Sequence, residues 1–305
     1  MHIDPELAAS IPALPDLHIA DLQGARERMR EFADRAPRPV TDGSVLTGET
    51  VPAAAGEPAV PLLVATPTRD FESPRPALLV LHGGGFVMGA ADMSAAQVAD
   101  LCAQLAVTVV AVDYRLAPEH SYPAALDDCA AALRWLVNRA DVDPDRIGVY
   151  GMSAGGGLAA ALTLLMRDKG GPGLCFQLLD APELDDRLDT TSMHAFVDTP
   201  LWSRPDAELS WQHYLSGTDV TDAYAAPARA ADLADLPPAY ISLYENDPLR
   251  DEGLAYAEGL LRAGVSVELH LFPGTFHRSV MLAGAGVSRR QAAETVQVLR
   301  GGLNL

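Results

Sequence analysis

Short, continuously apolar runs recur along this chain, and each is separated from the next by a segment of helical periodicity. Such runs are typical of strands buried on both faces, and their alternation with helices predicts a doubly wound, mostly parallel sheet. With 49% hydrophobic residues, the chain can cover both faces of that sheet. The runs occupy residues 77–82, 107–114, 146–151, 174–180, 239–245 and 267–272.

Two further segments, SVLTGETV at 44–51 and AVPLLVATP at 59–67, are bounded by Gly and Pro and predict an antiparallel pair. Together with the apolar runs they give an α/β fold built on an eight-stranded sheet flanked by helices. The helices are predicted at residues 92–105, 124–139, 153–168, 250–263 and 288–303.

Two segments fall outside this alternation. Residues 4–38 have a helical pattern, and residues 184–238 form an Asp- and Pro-rich insertion with one predicted helix in TPLWSRPDAELSWQHYL. We expect residues 1–40 and about 184–238 to form a helical lid over the strand ends. Because no linker separates them, residues 1–305 are predicted to be a single domain.

The net negative charge of the chain argues against two classes of binding partner. A formal charge of −19 would repel phosphate backbones and anionic lipid heads, so neither nucleic acid nor a membrane is expected as a partner. Three scattered cysteines match neither a disulfide scaffold nor a metal motif, so no metal or other cofactor is predicted. The N-terminus lacks a signal-peptide pattern, which predicts a cytoplasmic protein. A homo-oligomer is left open.

The motif GMSAG at residues 151–155 follows an apolar strand and opens an Ala- and Leu-rich helix. This is the context of a nucleophile elbow, in which a tight strand-to-helix turn exposes a reactive serine. Side chains two positions before or after Ser153 would collide with the crossing strand and helix, so glycine is needed there. The alternative is an ordinary Gly-rich turn.

A glycine run, HGGGF at residues 82–86, ends the strand at 77–82. Acyl transfer creates an oxyanion, and backbone N–H groups fixed in advance stabilise it. Gly84, Gly85 and Ala154 are the predicted donors. A phosphate or dinucleotide loop is disfavoured, because the glycine run has neither Gly-Lys-Ser/Thr nor the GxGxxG spacing.

A serine nucleophile needs a base, and the base needs an orienting carboxylate. At a strand-to-helix elbow the chain order is serine, acid, histidine. Asp247 directly follows an apolar strand, and His277 follows the next one, so both are expected at the same sheet edge as the serine. Asp251 and Glu252 are rival acids, interpreted here as charges in the first turn of a helix.

In combination, HGGGF, DYRLAPE (113–119), GMSAGGGLAAAL (151–162), DPLRDEG (247–253) and PGTFH (273–277) resemble the bacterial hormone-sensitive-lipase-like esterases of the α/β-hydrolase fold. The resemblance runs from about residue 40 to the C-terminus. Within the family, the branch containing bacterial heroin esterase is the one that three segments resemble: DAPELDDRL (180–188), FVDTPLWSRP (196–205) and YAAPARAADL (224–233). It implies Ser153 as nucleophile, Asp247 as acid and His277 as base. It also implies that His82 braces the oxyanion loop.

The sequence departs from the family pattern at two positions, since Met152 stands where Asp, Glu or Thr is frequent and Arg278 where Gly is frequent. Asp180 and Glu183 stand near a strand end where many relatives have apolar or aromatic residues. We hypothesise that one of these carboxylates favours substrates carrying an amine; the alternative is a solvated or salt-bridged carboxylate.

Aromatic and apolar residues are candidate pocket walls. Phe86 and Met88 flank the oxyanion loop, and Trp202 lies in the insertion, where packing the lid onto the body is the alternative use.

The resemblance implies a carboxylesterase that cleaves short-chain, acetyl-like esters of small molecules. Two alternatives remain: an amidase, formamidase or lactonase with the same triad, and a non-catalytic small-molecule-binding relative. Retention of both Ser153 and His277 argues for catalysis over binding.

Overall fold

A computed structural model of the protein describes residues 1–35, 42–53, 56, 58–69, 73–219 and 221–305. Its strands are β1 Ser44–Val51, β2 Val60–Pro67, β3 Arg75–Leu81, β4 Thr108–Val112, β5 Val142–Met152, β6 Phe176–Asp180, β7 Ala239–Asn246 and β8 Val267–Phe276. Its α-helices are α1 Pro5–Ala8, α2 Leu22–Asp34, α3 Ala95–Leu105, α4 Ala124–Val137, α5 Ala154–Lys169, α6 Thr191–Ala195, α7 Arg204–Tyr214, α8 Arg250–Arg262 and α9 Gly286–Gly302.

All eight strands join one sheet in the order β1-β2-β4-β3-β5-β6-β7-β8. The pairs β1–β2 and β2–β4 are antiparallel, and the remaining neighbours are parallel. The predicted α/β-hydrolase fold is therefore confirmed, with a mixed sheet in which β2 runs antiparallel to both of its neighbours and every other pair is parallel.

The core lies on both sides of this sheet because alternate strand residues point to opposite faces. On β3, Leu79 and Leu81 pack in the same apolar cluster as residues of α4, α5 and α8. Leu78 and Val80 pack in the cluster that includes residues of α3 and α9. Continuous apolar runs in the sequence thus correspond to strands covered by helices on both faces.

The N-terminal segment differs from the prediction of one helix over residues 4–38. It forms α1, two 3₁₀ turns at Ile11–Ala13 and Ile19–Asp21, and then α2. Pro12 and Pro15 lack backbone N–H groups and so prevent a continuous helix. Residues 36–38 of the predicted helix lie outside the described residues.

The insertion contains the predicted helix as α7 and a second short helix, α6, that the sequence analysis did not predict. A separate apolar cluster joins the N-terminal segment, the insertion and the loops at the strand ends, through Ile19, Met88, Trp202, Ala207 and Leu249. The two predicted lid segments therefore contact one another beside the carboxyl ends of the parallel strands. Within the described ranges, no helix is long and apolar enough to cross a bilayer.

Candidate active site

Ser153 occupies the sharp turn between β5 and α5, with φ 56° and ψ −122°. A Cβ atom at Gly151 would lie 2.1 Å from the Gly155 carbonyl oxygen, and one at Gly155 would lie 2.2 Å from the Leu81 carbonyl oxygen. Both glycines are therefore required by backbone packing. The serine N–H donates to the carbonyl of Asp180 over 2.8 Å, which ties the strained turn to β6.

The structure brings the three predicted triad side chains together. Nδ1 of His277 lies 2.7 Å from Oδ2 of Asp247, and Nε2 lies 3.0 Å from Oγ of Ser153. Since a carboxylate only accepts hydrogen bonds, Nδ1 carries the proton and Nε2 accepts from the serine hydroxyl. All three residues are buried, with Ser153 and His277 each 3% exposed.

Asp247 and His277 come from loops that follow neighbouring parallel strands. Asp247 directly follows β7, and its Oδ1 accepts the N–H of Leu249 over 2.9 Å. His277 directly follows β8. The carboxyl ends of parallel strands share one sheet edge, which is why residues far apart in the chain meet here.

The rival acids serve other contacts. Asp251 accepts the Ser192 N–H over 2.7 Å, and Glu252 accepts the Leu184 N–H over 2.6 Å. Both residues lie in the first turn of α8, as predicted. Glu252 is buried there, at 2% exposed, and burial raises the pKa of its carboxyl. Both residues connect α8 to the insertion.

The predicted oxyanion donors belong to two segments: Gly84 and Gly85 lie in the glycine loop after β3, and Ala154 directly follows Ser153. Gly84 and Gly85 have φ 132° and 56°, in the region that favours glycine. No described residue accepts a hydrogen bond from the N–H of Gly84, Gly85 or Ala154. Three backbone donors are thus left for an acceptor beside Ser153.

His82 lies beneath the same loop. Its Nδ1 is 2.9 Å from the Gly83 carbonyl, and its ring stacks on Tyr114 with centroids 4.1 Å apart. The Tyr114 hydroxyl donates to the His82 carbonyl over 2.6 Å. Burial lowers the pKa of His82, which favours the neutral ring. These contacts hold the loop, and the ring nitrogen that hydrogen-bonds the Ser153 hydroxyl is that of His277, not of His82.

The candidate wall residues are buried. Phe86 stacks on Tyr214 of α7 with centroids 4.0 Å apart, and Met88 packs in the cluster that contains Trp202. The Trp202 ring lies 6.0 Å from that of His277, and it would contact a Cβ atom placed on Gly85. Trp202 therefore packs the insertion onto the body and also flanks the triad.

Asp180, at the end of β6, is buried and surrounded by donors. Its Oδ1 accepts from Ser242 at 2.7 Å, from Tyr244 at 3.0 Å and from Gln291 at 3.2 Å. Burial raises the pKa of Asp180, while Arg278 and these hydrogen bonds oppose the rise. A carboxylate satisfied within the protein, the alternative to amine recognition, fits these contacts. The sequence does not indicate these donors to Asp180, because they lie in β7 and α9, far from Asp180 along the chain.

Arg278 directly follows His277, and its side chain approaches Asp180. It has φ 61°, and its Nη1 lies 3.8 Å from Oδ2 of Asp180, which is within charge attraction but beyond hydrogen bonding. The left-handed backbone explains why glycine is frequent at this position in the family that the sequence resembles.

Glu183, three residues after Asp180, is completely buried. Its Oε1 lies 2.9 Å from Oγ of Ser210, a residue of α7 that the sequence analysis did not single out. Its other oxygen has no hydrogen-bond partner among the described residues. The same Ser210 hydroxyl lies 2.9 Å from the Gly85 carbonyl, which connects Glu183 to the oxyanion loop.

The chain is similar to known hydrolases in sequence and in structure. A family described as alpha/beta hydrolase fold matches residues 78–281. Carboxylesterase NlhH of Mycobacterium tuberculosis is 45% identical over 217 residues, which cover 68% of this chain and 67% of NlhH. Ethyl acetate hydrolase of Pseudomonas putida is 32% identical and covers 91% of this chain and 92% of its own length. The solved structure of a bacterial heroin esterase has 47% identity and a TM-score of 0.94, covering 99% of this chain and 98% of that one.

Proposed function

Because this chain belongs to the α/β-hydrolase family, among its hormone-sensitive-lipase-like esterases, we propose that it cleaves short-chain acyl esters through Ser153, His277 and Asp247. The chain is a carboxylic ester hydrolase, as its relatives are. What we propose beyond this is the preference for short acyl groups and the roles of the three residues.

One observation carries the mechanism: the continuous hydrogen-bond chain from Asp247 through His277 to Ser153, with distances of 2.7 and 3.0 Å. Both distances lie in the range in which a proton can pass from the hydroxyl to the ring. The carboxylate fixes the tautomer that leaves Nε2 free to accept that proton.

In the acylation step, Oγ of Ser153 attacks the ester carbonyl carbon while its proton moves to Nε2 of His277. The carbonyl oxygen becomes an oxyanion and accepts hydrogen bonds from the N–H groups of Gly84, Gly85 and Ala154. Collapse of the intermediate breaks the C–O bond, and the imidazolium gives its proton to the departing alcohol. Asp247 stabilises the imidazolium throughout.

In the deacylation step, water takes the place of the alcohol. His277 removes a proton from water as it attacks the acyl-enzyme, and the same three N–H groups hold the second oxyanion. The serine oxygen then leaves with the proton from His277, which releases the acid and restores the enzyme.

The surroundings of Ser153 support a short acyl group. The serine is 3% exposed, and Trp202 and Phe86 pack beside the oxyanion loop against other aromatic rings. A long acyl chain would have to displace these buried rings, whereas an acetyl group needs little space. A relative named ethyl acetate hydrolase agrees with this preference, and one named heroin esterase agrees with a bulky alcohol.

We expect hydrolysis of p-nitrophenyl esters to decline from acetyl and butyryl to longer acyl chains. In Ser153→Ala, kcat should fall on the order of 10⁶-fold, because the nucleophile is lost. Ser216→Ala, an exposed serine just beyond α7, is the matched control and should retain wild-type rates. Turnover that persists in Ser153→Ala, or a rate that rises with acyl length, contradicts the proposal.

Labelling separates catalysis from binding without a substrate. A fluorophosphonate probe should add to Ser153, seen by peptide mass spectrometry, and should leave the Ser153→Ala variant unmodified. A folded protein that takes no label would instead indicate a small-molecule-binding relative.

A further inference from the structure

The hydroxyl of Ser210 contacts two groups that ordinarily accept hydrogen bonds, the Gly85 carbonyl and the Glu183 carboxyl. Its hydroxyl oxygen lies 2.9 Å from the Gly85 carbonyl and 2.9 Å from Oε1 of Glu183, and all three groups are enclosed by protein. A carbonyl and a carboxylate are both acceptors, but a hydroxyl has one proton to donate. With Glu183 ionised, one of these two buried contacts would therefore bring two acceptors together.

Both contacts become hydrogen bonds if Glu183 carries a proton. Its carboxyl O–H then donates to Ser210, and the Ser210 O–H donates to the Gly85 carbonyl. We propose that Glu183 is a neutral acid in the folded enzyme and acts as a positioning residue that holds the oxyanion loop through Ser210. This inference rests on the proposed function, because it concerns the loop that stabilises the oxyanion.

The electrostatic surroundings favour the protonated form. Burial raises the pKa of Glu183 to about 8, the Ser210 hydrogen bond opposes the rise, and the negative charges of Asp247 and Asp206 add to it. Two more ionisable groups face it, Glu252 on α8 and Tyr114 after β4, and a charge on Glu183 would raise the pKa of each.

Glu183 also contacts the nucleophile elbow directly. Its N–H donates to the Ser153 carbonyl over 3.1 Å, and its own carbonyl would lie 2.1 Å from a Cβ atom at Gly157. One residue thus joins the elbow, the helix α7 and the oxyanion loop. Loss of its proton would redirect the Ser210 hydroxyl to the carboxylate and release the Gly85 carbonyl.

The test is the pH dependence of kcat and KM between pH 6 and 10 with p-nitrophenyl acetate. In wild type, kcat should decline above about pH 8, with little change in KM. In Glu183→Gln, whose amide N–H can still donate to Ser210, this alkaline decline should disappear. In Ser210→Ala, kcat should be about tenfold lower at pH 7 and should also lack the decline.

Glu208→Gln, an exposed glutamate of α7, is the matched control and should keep the wild-type profile. An alkaline decline that persists unchanged in Glu183→Gln overturns the proposal. If that variant does not fold, infrared spectra of wild type at pH 6.5 and 9.5 decide: the carbonyl band of a buried protonated carboxyl must be lost at the higher pH. A carbonyl region that does not change between the two pH values also overturns the proposal, even where buried Glu252 contributes a constant band, and this readout needs no activity. Turnover by Ser153→Ala would reject the proposed function alone.

Discussion

Two buried carboxyl groups stand three residues apart, Asp180 at the end of β6 and Glu183 just after it, and the backbone of each hydrogen-bonds Ser153 at the nucleophile elbow. Asp180 lies under the histidine loop, where Ser242, Tyr244 and Gln291 donate to it and Arg278 supplies a positive charge. Glu183 lies toward the oxyanion loop, where one hydroxyl contacts it and the nearby charges are negative.

Burial raises the pKa of both groups, but the neighbours act in opposite directions. Around Asp180, donors and a cation stabilise the charge; around Glu183, Asp247 and Asp206 repel it. Equal burial therefore does not imply equal roles. Asp180 is a hydrogen-bond acceptor for side chains of β7 and α9. Glu183 is proposed to be a donor with one partner, Ser210.

The largest difference between the two carboxyl groups is expected in the free energy of unfolding when each is replaced. Asp180→Ala leaves several buried donors and a nearby guanidinium without their acceptor, so the free energy of unfolding should fall by about 3–5 kcal/mol. Urea denaturation followed by circular dichroism measures this change.

Glu183→Gln at pH 6 is the comparison variant, since it replaces a neutral acid with a neutral amide of similar shape. We expect it to change the free energy of unfolding by less than about 1 kcal/mol. If the two variants were equally destabilised, the distinction between the two carboxyl groups would not hold.

The next effect is the pH dependence of stability contributed by Glu183. Between its ordinary pKa of 4.5 and about 8, the unfolded chain has lost this proton and the folded protein retains it. Raising the pH therefore favours unfolding, by about 1.4 kcal/mol per pH unit for this group.

Unfolding free energies of wild type and Glu183→Gln at pH 6 and 7 isolate that contribution. The variant should gain about 1.4 kcal/mol relative to wild type across this interval. A constant difference between the two proteins would mean that Glu183 is already ionised at pH 6.

The smallest effect concerns Arg278 on the Asp180 side. Its φ of 61° costs an L-residue about 1 kcal/mol, which glycine avoids. Arg278→Gly should therefore be more stable than Arg278→Ala by about 1 kcal/mol in thermal or urea unfolding. Since both variants lose the cation, the pair separates backbone strain from charge. Equal stability of the two would argue against a strained backbone at this position.

Some residues of the site could be predicted from the sequence and others could not. Ser153, Asp247 and His277 follow β5, β7 and β8, and the glycine loop follows β3, so strand ends indicated each of them. Ser210 and Gln291 lie within α7 and α9, where one serine or glutamine has no pattern to distinguish it. Glu252 lies in the first turn of α8 as predicted, but its burial could not be predicted, because the burial of a helix face depends on what packs against it.

The amino-acid order alone determined the alternation of strands and helices, the glycines at the elbow and the chain order of the triad. These follow from local rules: apolar periodicity, the close approach that only glycine permits, and the shared edge of parallel strands. Only the tertiary structure decided that α7 brings Ser210 to Glu183. It also decided which buried carboxyl group meets donors and which meets other acids, because burial and charge are set by neighbours distant in the chain.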